Sequence, residues 1–314
     1  MTTLTGITEQ KHAGTVDHTS FELAMFGAIM QLSTVLGVWA TQTTAAGCLT
    51  DPLGCLGDLG AADPWGRQAL LTLCFAGFMW ALSVYRGSEE GTSDPSIVDR
   101  LWSINPLIYT AHFFWASGGM ESENTRLSVM TALVTLWSTR LTWNFWRKGG
   151  FSGGEDYRWI EVRKWFPGWQ FEVFNLVFVC FFQQCAILAF TTPAAYALQS
   201  SVPWNNIDTF ATLLYALLVL GETVADNQMF NFQTEKYRRI KAGERLGPEY
   251  ERGFIETGLW SWSRHPNYFC EVSVWWAFYL FTVGATDPAA VPEGSEWQRY
   301  VNWTVVGAYL YVVT

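Results

Sequence analysis

Residues 258–276 read GLWSWSRHPNYFCEVSVWW. A polar hexad, Ser263-Arg264-His265-Pro266-Asn267-Tyr268, runs directly into an apolar stretch that holds one acid, Glu271. Pro266 suits the first turn of a helix, where its missing N–H would have had no helical partner anyway. The stretch therefore reads as a helix that begins at Pro266. Its first free amides, at Asn267, Tyr268 and Phe269, form an end that attracts anions. Arg264 and His265 lie just upstream and add donors to the same place. Asn267 and Glu271 are four apart and share one face. An acid one turn inside a lipid-spanning helix is costly and faces a cavity or a partner. The plainer reading is an Arg/Tyr anchor at the membrane interface, which accounts for Arg264 or Tyr268 singly but leaves Glu271 unexplained.

The rest of the chain supports a membrane setting. Half of its 314 residues are hydrophobic, only 15% are charged, and 18 are Trp. The apolar residues come in long blocks, and a helix of about 20 such residues crosses a bilayer. Candidate spans fall near 21–42, 68–85, 101–117, 127–146, 170–190, 207–226, 268–284 and 300–314. The expected fold is all-α: a polytopic integral membrane protein with about seven to eight transmembrane helices. A polar cytosolic N-terminus covers 1–20, and a single helical membrane domain covers 21–314. Residues 1–20 lack the basic-then-apolar pattern of a cleaved signal, so the first span reads as an uncleaved anchor. Strand signals are absent, and an open sheet has no place in lipid.

Cations fix the orientation. With the N-terminus in the cytosol and every span crossing, fifteen Lys and Arg collect on that side and three, Arg67, Arg126 and Arg299, on the other. Lys and Arg are retained on the cytosolic side, so the opposite orientation is rejected. The net charge of −9 argues against a nucleic-acid partner. Cys74, Cys180, Cys185 and Cys270 lie in apolar spans and read as small packing residues. Cys48 and Cys55 flank LTDPLG in the first non-cytosolic loop, where a local disulfide suits an oxidising compartment. No Cys/His spacing suggests a metal site.

Other polar groups fall at the same membrane face. Arg140 and Asn144 share one side of the fourth span, with snorkelling as the alternative for Arg140 alone. The following RKGGFSGGEDYR (147–158) offers glycine amides between cations, either to wrap a phosphate or as a plain flexible loop. Glu222 and Asp226 form another i,i+4 pair, and the deeper Glu222 needs a partner such as Arg140. Asp99 reads as a helix cap or as a site acid, with Asn105 deep enough to line a cavity. Residues 227–242 read as a helix lying in the membrane interface. Charge counting alone puts five polar segments at one level, which fits a cytosol-open pocket for an anionic cofactor backed by an apolar chamber.

SIVDRLW (96–102), RLTWNFWRKGGFSGGEDYRW (140–159), GETVADNQMFNFQ (221–233) and above all GLWSWSRHPNYFCEVSVWW occur in an order that resembles the steroid 5-alpha-reductase C-terminal-domain superfamily, in its polytopic membrane branch. The likeness covers roughly 70–314. It implies NADPH bound from the cytosolic side and reduction of a carbon–carbon double bond in a lipophilic, sterol-like enone. Asp226, Asn267, Tyr268 and Glu271 match its cofactor-contacting positions. Arg140 and Glu155-Asp156-Tyr157-Arg158 match more loosely, and Asp99 falls near its acidic substrate-polarising position. Three departures stand out. Glu222 replaces an Asn. Trp137 replaces the proton-donating Tyr, so Tyr109 or Tyr157 becomes the candidate donor. The family continues into a basic, aromatic tail, whereas this chain stops at AYLYVVT (308–314), so it reads either as a fragment or as having an incomplete cofactor site. The resulting catalytic candidates are Asp99, Tyr109 and Tyr157. The cofactor candidates are Arg140, Asn144, Asp226, Arg264, His265, Asn267, Tyr268 and Glu271.

A membrane methyltransferase is the competing expectation, because isoprenylcysteine and phospholipid methyltransferases carry a similar Arg-His-Pro-x-Tyr helix start and bind S-adenosylmethionine there. A non-catalytic lipid-binding protein is the third. Expected partners are the bilayer and a lipophilic small molecule, with oligomeric state left open. The expected membrane is the endoplasmic reticulum in a eukaryote or the inner membrane in a bacterium.

Overall fold

The computed structural model describes residues 50–57, 63–87, 91–152 and 154–313. These form helices and turns, with no strand among the described residues. The main helices are α1 (Pro64–Arg86), α2 (Ser96–Leu101), α3 (Asn105–Ala116), α4 (Thr125–Arg147), α5 (Tyr157–Trp165), α6 (Trp169–Gln199), α7 (Asn206–Ala242), α8 (Pro266–Ala285) and α9 (Val305–Val313). The expected span at 21–42 and the polar N-terminus lie outside the described residues. So does Cys48, although Cys55 is disulfide-bonded.

Local chemistry sets the helix ends. The Asp63 carboxylate accepts from the Trp65 and Gly66 amides at 3.1 and 3.0 Å and starts α1 at Pro64. Asn205 and Asp208 form a reciprocal capping box at the start of α7. Pro266 opens α8 as its sequence indicates. The stretch around 101–117 is not one span, because a turn at 102–104 separates α2 from α3, which begins beside Pro106. Residues 227–242 do not form a separate interfacial helix. They continue α7, because no Gly or Pro interrupts the chain until Gly243, which ends it at φ +67°.

α1, α6 and α7 are long and apolar enough to cross a membrane. α4 and α8, at 23 and 20 residues, are comparable in length. α3 has 12 residues, too short by itself for a hydrocarbon layer about 30 Å thick.

Two helices carry apolar stripes on their exposed faces and polar residues on their buried ones. On α7, Phe210, Leu213, Leu217, Leu220 and Val224 form an exposed stripe, while Asp208, Tyr215, Glu222 and Asp226 point inward. On α1, Leu73, Phe78 and Val84 are exposed, whereas Gln68, Thr72 and Ser83 are buried. A helix beside water buries its apolar stripe instead.

α6 occupies the centre. Its segment Asn175–Phe182 is wound as a π-helix, and Pro193 lies within the following turns. Pro193 has no N–H, so the Ala189 carbonyl loses its i+4 donor. Gly307 of α9 packs on that carbonyl so closely that a Cβ there would fall 2.1 Å from the Ala189 oxygen. α7 and α8 run together, with Gly221 against Cys270 and Gly284 against Asp208. Trp137, Phe190, Trp275, Phe278 and Tyr311 fill the space between helices as a buried aromatic cluster.

Candidate functional site

Three helices converge on one guanidinium. Arg140 of α4 donates to Asp226 Oδ2 at 2.7 Å and to Glu222 Oε1, both on α7. Glu271 of α8 lies 3.7 Å from the same guanidinium. Asn144, one turn after Arg140, donates to Asp226 Oδ2 at 2.7 Å, and Asn267 donates to Asp226 Oδ1 at 3.3 Å. Lys148 reaches Asp226 Oδ1 at 3.5 Å from a half-exposed position. A second row, Arg147 to Asn144 Oδ1 at 2.9 Å and to Asn227 Oδ1 at 2.6 Å, closes the rim.

The i,i+4 pairs read from the sequence explain how this forms. Arg140/Asn144, Glu222/Asp226 and Asn267/Glu271 each present two polar groups on one stripe, and the three stripes face each other. The result is one guanidinium against three carboxyls, with Lys148 the nearest further cation at the edge. Three buried polar atoms in the layer have no hydrogen-bond partner: Arg140 Nε, Glu222 Oε2 and the Tyr215 hydroxyl. Buried polar groups are almost always paired, so these atoms leave hydrogen-bonding capacity in the layer that a polar ligand could use.

The other candidates go elsewhere. Arg264 and His265 are exposed on the turn before α8. Tyr268 is exposed and reaches the Val312 carbonyl at 3.4 Å, facing α9 rather than the layer. Tyr109 is buried within the bundle and donates to Gln184 Oε1 at 2.9 Å, an acceptor it shares with Asn105. It is a core phenol bound to a neutral amide, not a member of the charged layer. Tyr157 opens α5, and its side chain lies outside the described residues. Asp99 is not a helix cap, because α2 begins three residues earlier. Its carboxylate pairs with Arg158 at 3.4 Å. Burial pushes that carboxyl up to about 6, with Arg158 opposing and Asp156 adding to the shift.

The glycine loop is tied down through its carbonyls. Arg100 donates to the Gly150 oxygen at 3.3 Å and to the Gly154 oxygen at 3.0 Å. Glu155 pairs with Arg163, which also donates to Thr92 and the Ser93 carbonyl. Nearby, Asp94 sits below its ordinary value. Burial raises its carboxyl, but Arg86, the Ser96 bonds and Arg100 together outweigh that cost. These residues brace the loop against α2 and do not reach Arg140.

Three members of the layer are not among the site residues read from the sequence, where Trp137 enters only as the replacement for an expected Tyr. Trp137 donates its indole N–H to Glu271 Oε2 at 2.9 Å. Tyr311 of α9 donates its phenol to Glu271 Oε1. Tyr215 lies two turns before Glu222 on α7, so its place on the stripe was legible from spacing. Tyr311 had no such signal, because only the packing of α9 on α6 brings it there.

Residues 86–308 match the model of a family described as a protein of unknown function, DUF1295. The chain belongs to this family. DUF1295 is related to steroid 5-alpha-reductase-like membrane proteins. A Schizosaccharomyces pombe protein described as uncharacterised is 32% identical over 253 residues, covering 77% of this chain and 68% of that protein. No solved structure matches the chain. The DUF1295 match takes in Asp99 and every residue of the charged layer except Tyr311.

Proposed function

We propose that this DUF1295 protein is a multi-pass membrane reductase, with seven to eight helical spans, that uses NADPH to reduce a carbon–carbon double bond in a lipophilic, sterol-like enone. The observation that carries this reading is the buried layer around Arg140, with its unpartnered atoms, set beside an aromatic cluster. The exposed apolar stripes on α1 and α7 support lipid as the surrounding medium.

The side chains fit the nicotinamide half of such a cofactor. Asp226, Glu222 and Glu271 accept hydrogen bonds, as ribose hydroxyls and a carboxamide N–H require. Asn267, Asn144 and Arg140 donate to the carboxamide oxygen. Arg264, exposed at the start of α8, supplies a cation for phosphates, and His265 beside it an imidazole N–H donor. Bound NADPH supplies the hydride. The protein's residues orient the ring, keep water out of the aromatic cluster and stabilise charge that develops on the enone oxygen. The proposed setting is the endoplasmic reticulum in a eukaryote or the inner membrane in a bacterium.

The acid excess favours a second reading. One buried guanidinium against three carboxyls is attractive to a cation, and the sulfonium of S-adenosylmethionine is one. Equilibrium binding to the detergent-solubilised full chain separates the two. The reductase reading expects NADPH binding that is lost in Asp226→Ala and Asn267→Ala. Binding of S-adenosylmethionine without NADPH would establish the methyltransferase. Binding of neither by folded protein would leave a non-catalytic lipid binder.

A further inference from the structure

Glu271 is held from two sides. Trp137 donates to Oε2 at 2.9 Å, and the phenol of Tyr311 donates to Oε1. Both rings lie against Trp275, with centroids at 5.0 Å for Trp137 and 5.7 Å for Tyr311. Tyr311 also meets Phe190 edge-on at 5.0 Å and Trp102 at 6.4 Å. Its ring thus belongs to the aromatic cluster while its oxygen belongs to the charged layer. None of the other described tyrosines donates to an acid of this layer: the Tyr215 hydroxyl has no partner, Tyr109 is bound to Gln184, and Tyr268 faces outward.

The local fold is arranged for this reach. Gly307 and Tyr311 are four apart and share a face of α9. A side chain at 307 would collide with the Ala189 carbonyl, so glycine there allows α9 to lie close enough for Tyr311 to meet Glu271. Trp137 cannot serve as a proton donor, since an indole N–H is not acidic enough to transfer its proton. It does fix the other oxygen of the same carboxylate.

We propose that Tyr311 is the proton donor of this protein, with Glu271 as the group that positions it and returns its proton. The proposal rests on the reductase reading above. With hydride added at the β carbon of the enone, the double-bond pair moves toward the carbonyl and an enolate forms. A C–H bond then forms at the α carbon as the Tyr311 O–H bond breaks, leaving a phenolate. Glu271 takes up one proton from the solvent and passes it to the phenolate, so that enone, NADPH and one solvent proton become saturated ketone and NADP+.

The test uses the full chain in detergent, with NADPH and a panel of lipophilic enones that includes a steroid 3-oxo-4-ene, followed by loss of the enone absorbance. Tyr311→Phe is expected to lower kcat about 10²- to 10⁴-fold. KM for the enone, the Kd for NADP+ and the thermal midpoint are expected to stay near wild type. A rate within threefold of an active wild type would overturn the proposal and leave the reductase reading standing. Loss of NADP+ binding or of the thermal midpoint in Tyr311→Phe would make the residue structural and also overturn it. A wild type that neither binds NADP+ nor consumes any enone would overturn both.

Discussion

Two arginines of α4 sit at opposite ends of the same bundle and are treated differently. Arg126 meets a single acid, Asp208, through two bonds of 2.7 and 2.8 Å. Its remaining N–H groups reach the Val202, Pro203 and Gly284 carbonyls at 2.9 to 3.2 Å. One charge faces one charge, and every donor nitrogen has an acceptor. Arg140, about four turns away, faces three carboxyls and keeps Nε unpartnered beside an unpartnered Glu222 oxygen and the Tyr215 hydroxyl. The first site ties the α6–α7 turn to α4 and α8. The second has an excess of acid and unmet hydrogen bonds, which packing alone does not require. A buried ion pair by itself is weak evidence of function. An unbalanced one next to a balanced one on the same helix is stronger evidence.

Breaking each arginine should give the largest effects. Arg126→Ala leaves the buried Asp208 charge without its cation and is expected to cost about 3–5 kcal/mol of stability. The double change Arg126→Met/Asp208→Asn should cost much less, because no charge is left behind. For Arg140 the corresponding Arg140→Met/Asp226→Asn should not recover stability, since Glu222 and Glu271 remain. Denaturation in detergent compares the two double variants with Arg126→Ala and Arg140→Ala, and equal recovery at both sites would abolish the distinction. Gly307→Ala comes next: overpacking against the Ala189 carbonyl should cost about 1–3 kcal/mol and lower the thermal midpoint.

Asp226→Asn keeps the volume but sets an amide NH2 against donors that now face a carboxylate oxygen, so its thermal midpoint should fall modestly. Its NADPH affinity should fall about tenfold or more, roughly 1.4 kcal/mol by equilibrium binding. The same pattern at Asp208→Asn would mean that the two ends are not functionally distinct. The smallest effect belongs to Asp99. Its carboxyl is raised in the folded state from 3.8 to about 6, so the folded protein holds a proton that the unfolded chain has already lost. Stability should therefore fall as pH rises from about 4 to about 6 and level off above. Asp99→Asn should flatten that part of the curve in pH-dependent melting.

Much of the layer was legible because helical periodicity is a short-range rule. Arg140/Asn144, Glu222/Asp226 and Asn267/Glu271 could be paired without any tertiary information, and loop charge placed all three at one level. The helix start at Pro266 followed from the chemistry of proline. Reading failed where continuity depended on contacts. The run at 101–117 carried enough apolar residues for a span, yet it breaks at 102–104. The polar end of α7 looked like a separate surface helix, yet nothing in it stops the helix before Gly243. Tyr109 was chosen because it is a phenol in an apolar run, a pattern that cannot separate a site residue from one bonded to Gln184 in the core.

The sequence by itself determined which residues lie on each polar stripe and where the long apolar helices fall, because both depend on local spacing and composition. Only the tertiary structure decided that the three stripes meet at Arg140, that Asp99 and the glycine loop brace each other instead, and that Tyr311 reaches Glu271. Those outcomes depend on how closely helices distant in sequence can pack. That closeness rests on contacts such as Gly307 against the carbonyl that Pro193 leaves without its i+4 donor, which neither segment shows when read alone.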